Sequence, residues 1–317
     1  MVVIGFLGPR GTFSQEAVKY YLENIRGNCI TKSENKNEYQ NTIERPFNSI
    51  KDMFLSMKKG EINEAIVPIE NSIEGAVNET LDLLASDMDL SIKAEVIIPI
   101  KQNLLVREGT SFEDIEYIIS HPQPVGQCRE FISRKLPHAE IKLVYSTARA
   151  AEIVSSGEYG LKAAAIGSSV AADVYGLKIL VENIQDNDNN FTRFVVISDK
   201  DSERTGKDKT SLVFSTENKP GSLYRILAIF NLWDINMTRI ESRPAKKQLG
   251  QYIFFVDIEG HREDDDVRDA LTMVKRKTSF FRLLGSYPLQ NHYGTQNQHK
   301  KPDLNHKNPA DTGFSKE

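Results

Sequence analysis

The chain has 317 residues, 39% of them hydrophobic and 26% charged, a composition suited to a globular protein of two or three domains. Its 40 basic and 44 acidic residues leave a formal charge of -4, which supplies neither the basic stripe of a nucleic-acid binder nor a polybasic membrane patch. No apolar run approaches the ~18 residues of a membrane helix, and the short apolar start at Met1 lacks the basic region of a signal peptide. The two cysteines, Cys29 and Cys128, have no CxxC spacing, so a reducing cytoplasm is the expected location.

Residues 1–198 alternate short apolar strands with helices, the pattern of an α/β domain. Val2 to Leu7 is the first predicted strand, and Gly11-Thr12-Phe13-Ser14-Gln15 opens a helix after it. A polar stretch from Lys32 to Gln40 reads as a surface insertion. Ala65 to Ile69 is a further strand, followed by Asn71-Ser72-Ile73-Glu74. Ile73, Ala76, Val77, Leu81 and Leu84 then fall at helical spacing, which predicts a helix opening at Asn71. Tyr117 to Ile119 leads into Ser120-His121-Pro122-Gln123, and Leu143 to Tyr145 leads into Ser146-Thr147. Thr12/Gln15, Asn71/Glu74 and Ser120/Gln123 all carry capping-box spacing.

Taken singly, each of these is explained as a helix cap. As a set they suggest more. Helices in open α/β sheets start at the carboxyl ends of strands, where ligands bind. Their first N–H groups and partial positive charge suit an anion.

The segment Asn190-Phe191-Thr192-Arg193-Phe194, followed by Val195-Val196-Ile197, puts a hydroxyl and a guanidinium side by side on a predicted strand. An arginine offers a two-pronged grip on a carboxylate. The competing reading of Arg193 is a structural ion pair. Strand residues alternate faces, so at least one of Phe191 and Phe194 is expected in the core. No His/Cys/Asp/Glu set has metal-ligand spacing, and Gly8-Pro9-Arg10-Gly11 is neither a Walker loop nor a dinucleotide turn. Neither metal nor cofactor is therefore expected.

Residues 199–209 are almost entirely polar and read as a linker, 210–288 as a second compact unit, and 289–317 as a disordered tail rich in Asn, Gln, His, Lys and Pro. Within the second unit Thr210 to Thr216, Ile235 to Ile240, Gln251 to Ile258 and Phe280 to Tyr287 are predicted strands. Leu223, Ile226, Leu227 and Phe230 mark one helix and Asp264 to Lys277 another, acidic at its start and basic at its end.

Several of these motifs, in order, resemble the prephenate dehydratase family: Gly8 to Ser14, Val67 to Gly75, Ser120 to Gln123, Ser146-Thr147-Ala148 and Asn190 to Phe194. The resemblance implies a two-lobed catalytic domain like the type II periplasmic binding proteins, over 1–198. Lobe one is expected over 1–75 and 184–198 and lobe two over 76–183, with crossings near Gly75 and Ile184. Residues 210–288 resemble an ACT domain, a ferredoxin-like βαββαβ amino-acid sensor. There Glu241-Ser242-Arg243-Pro244 is identical to the family's phenylalanine-site motif, while Gly221-Ser222-Leu223 stands where the family has Gly-Ala-Leu.

The implied reaction turns prephenate into phenylpyruvate with loss of CO2 and the ring hydroxyl. The substrate is a dianion, and it needs grips for two carboxylates and help for the departing oxygen. The resemblance assigns Thr192 to the departing hydroxyl and Arg193 to a carboxylate. Thr12, Ser14, Asn71, Ser72, Gly75 and Ser120 are candidates for holding substrate, as are His121, Gln123, Ser146, Thr147, Asn190 and Phe194. Glu70 is weighed as a general acid against a structural role, which like-charge repulsion from a dianion favours. Gly221, Ser222, Leu223, Glu241, Ser242, Arg243 and Pro244 are the implied phenylalanine site. Feedback inhibition by phenylalanine, and a homodimer or dimer of dimers, are the expected consequences. Arogenate dehydratase and a non-catalytic binding protein are the competing readings.

Overall fold

The computed structural model describes residues 2–26, 42–86, 89–245 and 252–290. The expected insertion at 32–40, Cys29 and the tail from 291 onward lie outside the described residues. Three sheets organise the described residues. The first takes β1 (Val2–Leu7), β2 (Thr42–Phe47), β3 (Glu64–Asn71), the short β4 (Gly75–Ala76), β5 (Ser91–Pro99) and β11 (Phe191–Ser198), in the order β2-β1-β3-β11-β5 with β4 beside β3. The second takes β6 (Asn103–Val106), β7 (Tyr117–Ser120), β8 (Glu140–Leu143), β9 (Ala163–Gly167) and β10 (Lys178–Val181), in the order β10-β6-β9-β7-β8. Each sheet with its helices is one lobe, and the chain crosses between them twice, as the two-lobed fold class requires.

The first crossing is not near Gly75. β5 pairs with β11 along its whole length, Phe191 facing Pro99 and Ser198 facing Ser91. Lobe one therefore continues to Pro99, and the chain leaves it between Ile100 and Asn103. The return falls between Ile184, which belongs to the lobe-two core, and Asn190. The helix expected from Asn71 also begins later. Asn71 ends β3, and its Oδ1 accepts from the backbone N–H of Ile73 and Glu74, making a turn of the kind Asn favours. That turn leads into β4, and the helix itself spans Asn78–Ala85. Its buried Leu81 and Leu84 are the residues whose spacing signalled it.

Lobe one buries both sheet faces. On one face α1 (Phe13–Tyr20) packs Ala17 and Val18 against Ile4, Phe6, Val96 and Val196. On the other, α2 (Ile50–Lys58) and α3 (Asn78–Ala85) cover Ala65, Val67, Val195 and Ile197. Lobe two carries α4 (Pro122–Gln127), α5 (Arg129–Lys135), α6 (Thr147–Ser156) and α7 (Ser169–Tyr175), which enclose Leu104, Ile118 and Ile166 on one face and Leu105, Ile119 and Ala165 on the other. Alternate residues of a fully buried strand point to opposite cores, so these strands read as continuous apolar runs.

The third unit has the order β12 (Asp208–Ser215), α8 (Ser222–Leu232), β13 (Met237–Pro244), β14 (Tyr252–Glu259), α9 (Asp265–Lys277) and β15 (Phe280–Pro288), the expected βαββαβ. Its antiparallel sheet runs β13-β14-β12-β15, with both helices on one face. The opposite face lies on lobe one: Val213, Phe255, Leu284 and Tyr287 share a core with Ile92, Val195 and Ile197. Gly285 permits the closest approach, since a Cβ there would stand 2.2 Å from the Ile92 carbonyl oxygen. The polar stretch 199–209 is correspondingly not a free linker. Ser202 is buried with its Oγ donating to the Lys93 carbonyl at 2.7 Å, and Asp208 and Lys209 already belong to β12.

Candidate functional site

A cleft of about 500 Å³ separates the lobes, its floor made by the two crossings. From lobe one it receives Thr12, Ser14, Asn71, Gly75, Asn190, Thr192 and Phe194, and from lobe two His121, Gln123, Ser146 and Thr147. These are eleven of the residues the sequence singled out. The cleft also takes residues that no local motif marked, among them Gln102 and Gln127. Gln102 sits in an unpatterned crossing, and Gln127 is seven residues beyond Ser120 at the far end of its helix, so neither had a local signal.

The local structure explains each placement. Thr12 precedes α1, and its Oγ1 donates to the Leu7 carbonyl at 3.0 Å, while Gln15 Oε1 accepts from the Gly11 N–H at 2.7 Å. Ser146 caps α6 in the expected way, accepting from the Arg149 N–H at 3.1 Å. The cap of α4 is His121, whose Nδ1 accepts from the Gln123 N–H, not Ser120. Ser120 is fully buried, donates to the Ile166 carbonyl at 2.9 Å and does not reach the cleft. Ser72 is likewise structural. Its Oγ donates to the Asn189 carbonyl and accepts from the Phe191 N–H, both at 2.9 Å, which pins the returning chain to lobe one.

Thr192 faces the cleft. Across β3, Asn71 is its register partner, and Asn71 Nδ2 donates to Thr192 Oγ1 and to Asn190 Oδ1, each at 2.9 Å. With that lone pair taken, the threonine proton is free to be donated elsewhere. Among the described residues the lining includes no Lys or Arg and one carboxylate, Glu74. The donors it offers an anion are the backbone N–H groups at the starts of α1 and α6 and neutral side chains.

Arg193 points the other way, which corrects its reading as a carboxylate clamp. Its Nε donates to Glu95 at 2.9 Å, Nη1 to Asp257 at 2.6 Å and Nη2 to the Tyr287 hydroxyl at 3.0 Å. Successive strand residues face opposite sides of a sheet, so with Thr192 and Phe194 in the cleft Arg193 must enter the contact with the third unit. Burial disfavours its charge, but Asp257, Tyr287 and Glu95 hold its pKa well above the ordinary value. Asp257 is buried too, and against that burial Arg193 and the Ser211 hydroxyl keep its pKa below the ordinary value. Lys209 completes the cluster, with Nζ 2.8 Å from Glu95. Glu70 also lies here, 3.0 Å from Arg239 and outside the cleft lining, which favours the structural role. Burial pushes the Cys128 thiol up to about 12, with Asp186 adding to the shift, so it is no nucleophile.

In the third unit, Gly221 adopts a left-handed φ of 76° just before α8, and Ser222 Oγ accepts from Arg225 at 2.9 Å. Leu223 packs on that unit's core. Glu241, Ser242, Arg243 and Pro244 end the edge strand β13. Ser215, which leads to Gly221, and Arg243 flank the same residue of β14, Ile253, so both motif segments lie at one end of this sheet. Arg243 reaches lobe one, with its Nη2 3.0 Å from Asp82 and its Nη1 bonded to Asn78. Among the described residues no group of three or more His, Cys, Asp or Glu is arranged to hold a metal ion, and no helix is long and apolar enough to cross a membrane.

Comparison with known proteins agrees with this architecture. The family model for prephenate dehydratase matches residues 4–202, and that for the ACT domain matches 210–272. A prephenate dehydratase of Methanocaldococcus jannaschii is 41% identical over 285 residues, 89% of this chain and 96% of the relative. A bifunctional chorismate mutase/prephenate dehydratase of Aquifex aeolicus is 40% identical over 287 residues, 90% of this chain and 74% of the relative. The crystal structure of an Arthrobacter aurescens prephenate dehydratase in complex with L-Phe superposes with a TM-score of 0.78 at 36% identity, covering 91% of this chain and 90% of that one.

Proposed function

Because the chain belongs to the prephenate dehydratase family, we propose that its inter-lobe cleft binds prephenate and that Thr192 serves the departing hydroxyl. The observation that carries this reading is the Asn71–Thr192 hydrogen bond, which leaves the threonine proton for the ligand. In the reaction the carbon–carboxylate bond breaks and its electron pair enters the ring. The ring carbon–oxygen bond breaks in turn, and the oxygen leaves with that pair. With one proton added, the products are phenylpyruvate, CO2 and water. Thr192 donates a hydrogen bond to the oxygen as its charge grows and relays the proton, a contribution of about 10²–10⁴-fold.

The N–H groups of α1 and α6, with Ser14, Ser146, Thr147 and Gln123, hold the carboxylates, while Thr12, whose hydroxyl proton goes to the Leu7 carbonyl, shapes the wall beside them. His121 and Gly75 border the same space. Phe194, buried on the cleft wall, keeps water from the ring carboxylate, whose loss as CO2 desolvation favours.

The third unit is the allosteric sensor. Phenylalanine binds at Gly221-Ser222-Leu223 and Glu241-Ser242-Arg243-Pro244; the choice of effector is supported by the relative whose crystal structure is a complex with L-Phe. A pair of these units in a homodimer or dimer of dimers forms the complete site, in a cytoplasmic enzyme. The effector acts by binding one global state better than the other.

The test compares Thr192→Ala with Thr192→Ser in purified protein, following phenylpyruvate formation with and without phenylalanine. The serine variant is expected to keep most turnover and the alanine variant to lose at least about 100-fold. Near-normal turnover of Thr192→Ala would sink the assignment.

A further inference from the structure

The floor of the cleft holds a residue that nothing so far has given a role. Gln102 stands where the chain first leaves lobe one, and both crossings are stitched to it. Its carbonyl accepts from the Ile184 N–H at 2.8 Å, and its N–H donates to Gln185 Oε1 at 2.9 Å. The side chain is 1% exposed and lines the cleft. Its Nε2 donates to Gln127 Oε1 at 3.2 Å. Its Oε1 is buried without a partner among the described residues.

A second orphan lies on the same floor. Asn190 is 2% exposed, its Oδ1 is taken by Asn71, and its buried Nδ2 has no partner among the described residues. A buried polar atom without a partner is costly, so the pair marks a place that a ligand completes. One orphan donates and the other accepts. The group that satisfies both at once is a hydroxyl, which accepts through its lone pairs and donates its single proton.

The carboxylates and keto group of prephenate only accept at neutral pH, and its ring hydroxyl is its one donor. We infer that Gln102 is a specificity-determining residue whose Oε1 receives the O–H of the substrate's departing hydroxyl, while Thr192 Oγ1 and Asn190 Nδ2 donate to the same oxygen. The inference rests on prephenate being the substrate. Gln102 takes no proton and forms no bond; the oxygen leaves with its electron pair and gains its proton through Thr192, as above. Fixing the O–H direction turns the oxygen lone pairs toward Thr192, and it favours ligands that carry a free hydroxyl over those that do not.

The experiment uses the full chain, wild type and Gln102→Met, which keeps length and removes the acceptor. For the variant, kcat/KM with prephenate is expected to fall about 10- to 100-fold. Affinity for phenylpyruvate, which has lost the hydroxyl, should stay within about 3-fold. Equal losses for both ligands, or none for prephenate, would overturn the inference. A second measurement needs no variant. Wild-type protein is titrated with a ring-saturated prephenate analogue and with its O-methyl ether, which keeps the oxygen and lacks the proton. About a 10-fold preference for the free hydroxyl is expected, and equal binding overturns the inference. If wild type fails to turn over prephenate at all, the substrate reading fails instead, a result distinct from either.

Discussion

Replacing Arg193 by Met separates the two roles an arginine can have beside a catalytic threonine. The side chain is 10% exposed and ion-paired with Glu95 and Asp257 at 2.9 and 2.6 Å. Glu95 keeps Lys209 after the change, at 2.8 Å, but Asp257 loses its closest cation and retains the Ser211 hydroxyl. Breaking a buried pair by removing one partner costs about 3–5 kcal/mol, because the other charge stays buried. Set against a total stability of about 5–15 kcal/mol, that is a large fraction. The expected result in urea denaturation is a lower midpoint, corresponding to a loss of that size in the unfolding free energy. At a temperature where the variant remains folded, KM for prephenate should stay within about 3-fold. Adding Asp257→Asn should recover part of the loss, since it removes the stranded charge. If Arg193→Met instead left stability untouched and raised KM by about 100-fold, the guanidinium would be a substrate clamp after all, and the face assignment of the strand would be wrong.

Two further outcomes follow from other residues. Burial raises the Glu16 carboxyl on α1 to about 7, with Lys19 and Lys101 opposing, so the folded state holds a proton that the unfolded chain releases near 4.5. Its contribution to stability is present below pH 4.5 and is lost as pH rises through about 7, and Glu16→Gln should flatten that decline, worth about 3 kcal/mol, in melts taken across the interval. At Gly285, with φ of 148°, a Cβ would meet the Ile92 carbonyl at 2.2 Å, so Gly285→Ala should cost about 3 kcal/mol and loosen the third unit from lobe one, read as faster proteolysis near 199–207.

The parts of this architecture that were legible in the sequence depend on local chemistry. Val2 to Leu7 is a strand with the predicted ends, and Ser146 caps its helix, because apolar runs and short polar caps act over a few residues. What lay beyond reach depends on distant partners. Alternation guaranteed that Thr192 and Arg193 would part company, but the side each takes is decided by Asp257 and Tyr287, 64 and 94 positions later. The turn at Asn71 mimics a helix start in sequence because Ile73 and Ala76 fall into helical phase with Leu81 and Leu84. The side chain serves both ends: its Oδ1 holds the local turn, and its Nδ2 makes a hydrogen bond to Thr192 across 121 positions that no local pattern announces. Gln102 gained its position from two crossings that meet only in the folded molecule.

The contact made by β12, β14 and β15 on lobe one changes how the chain should be divided. Family matching splits it at about residue 200, yet Val213, Phe255, Leu284 and Tyr287 complete a core that Val195 and Ile197 begin. Sequence modules and cooperative units are therefore different partitions of this molecule. A fragment ending at Ser198 would present that apolar face and the charges of Glu95 and Arg193 to water. The sensor is thus also a piece of the catalytic lobe's interior, and whatever reshapes it acts on the foldon that carries Thr192.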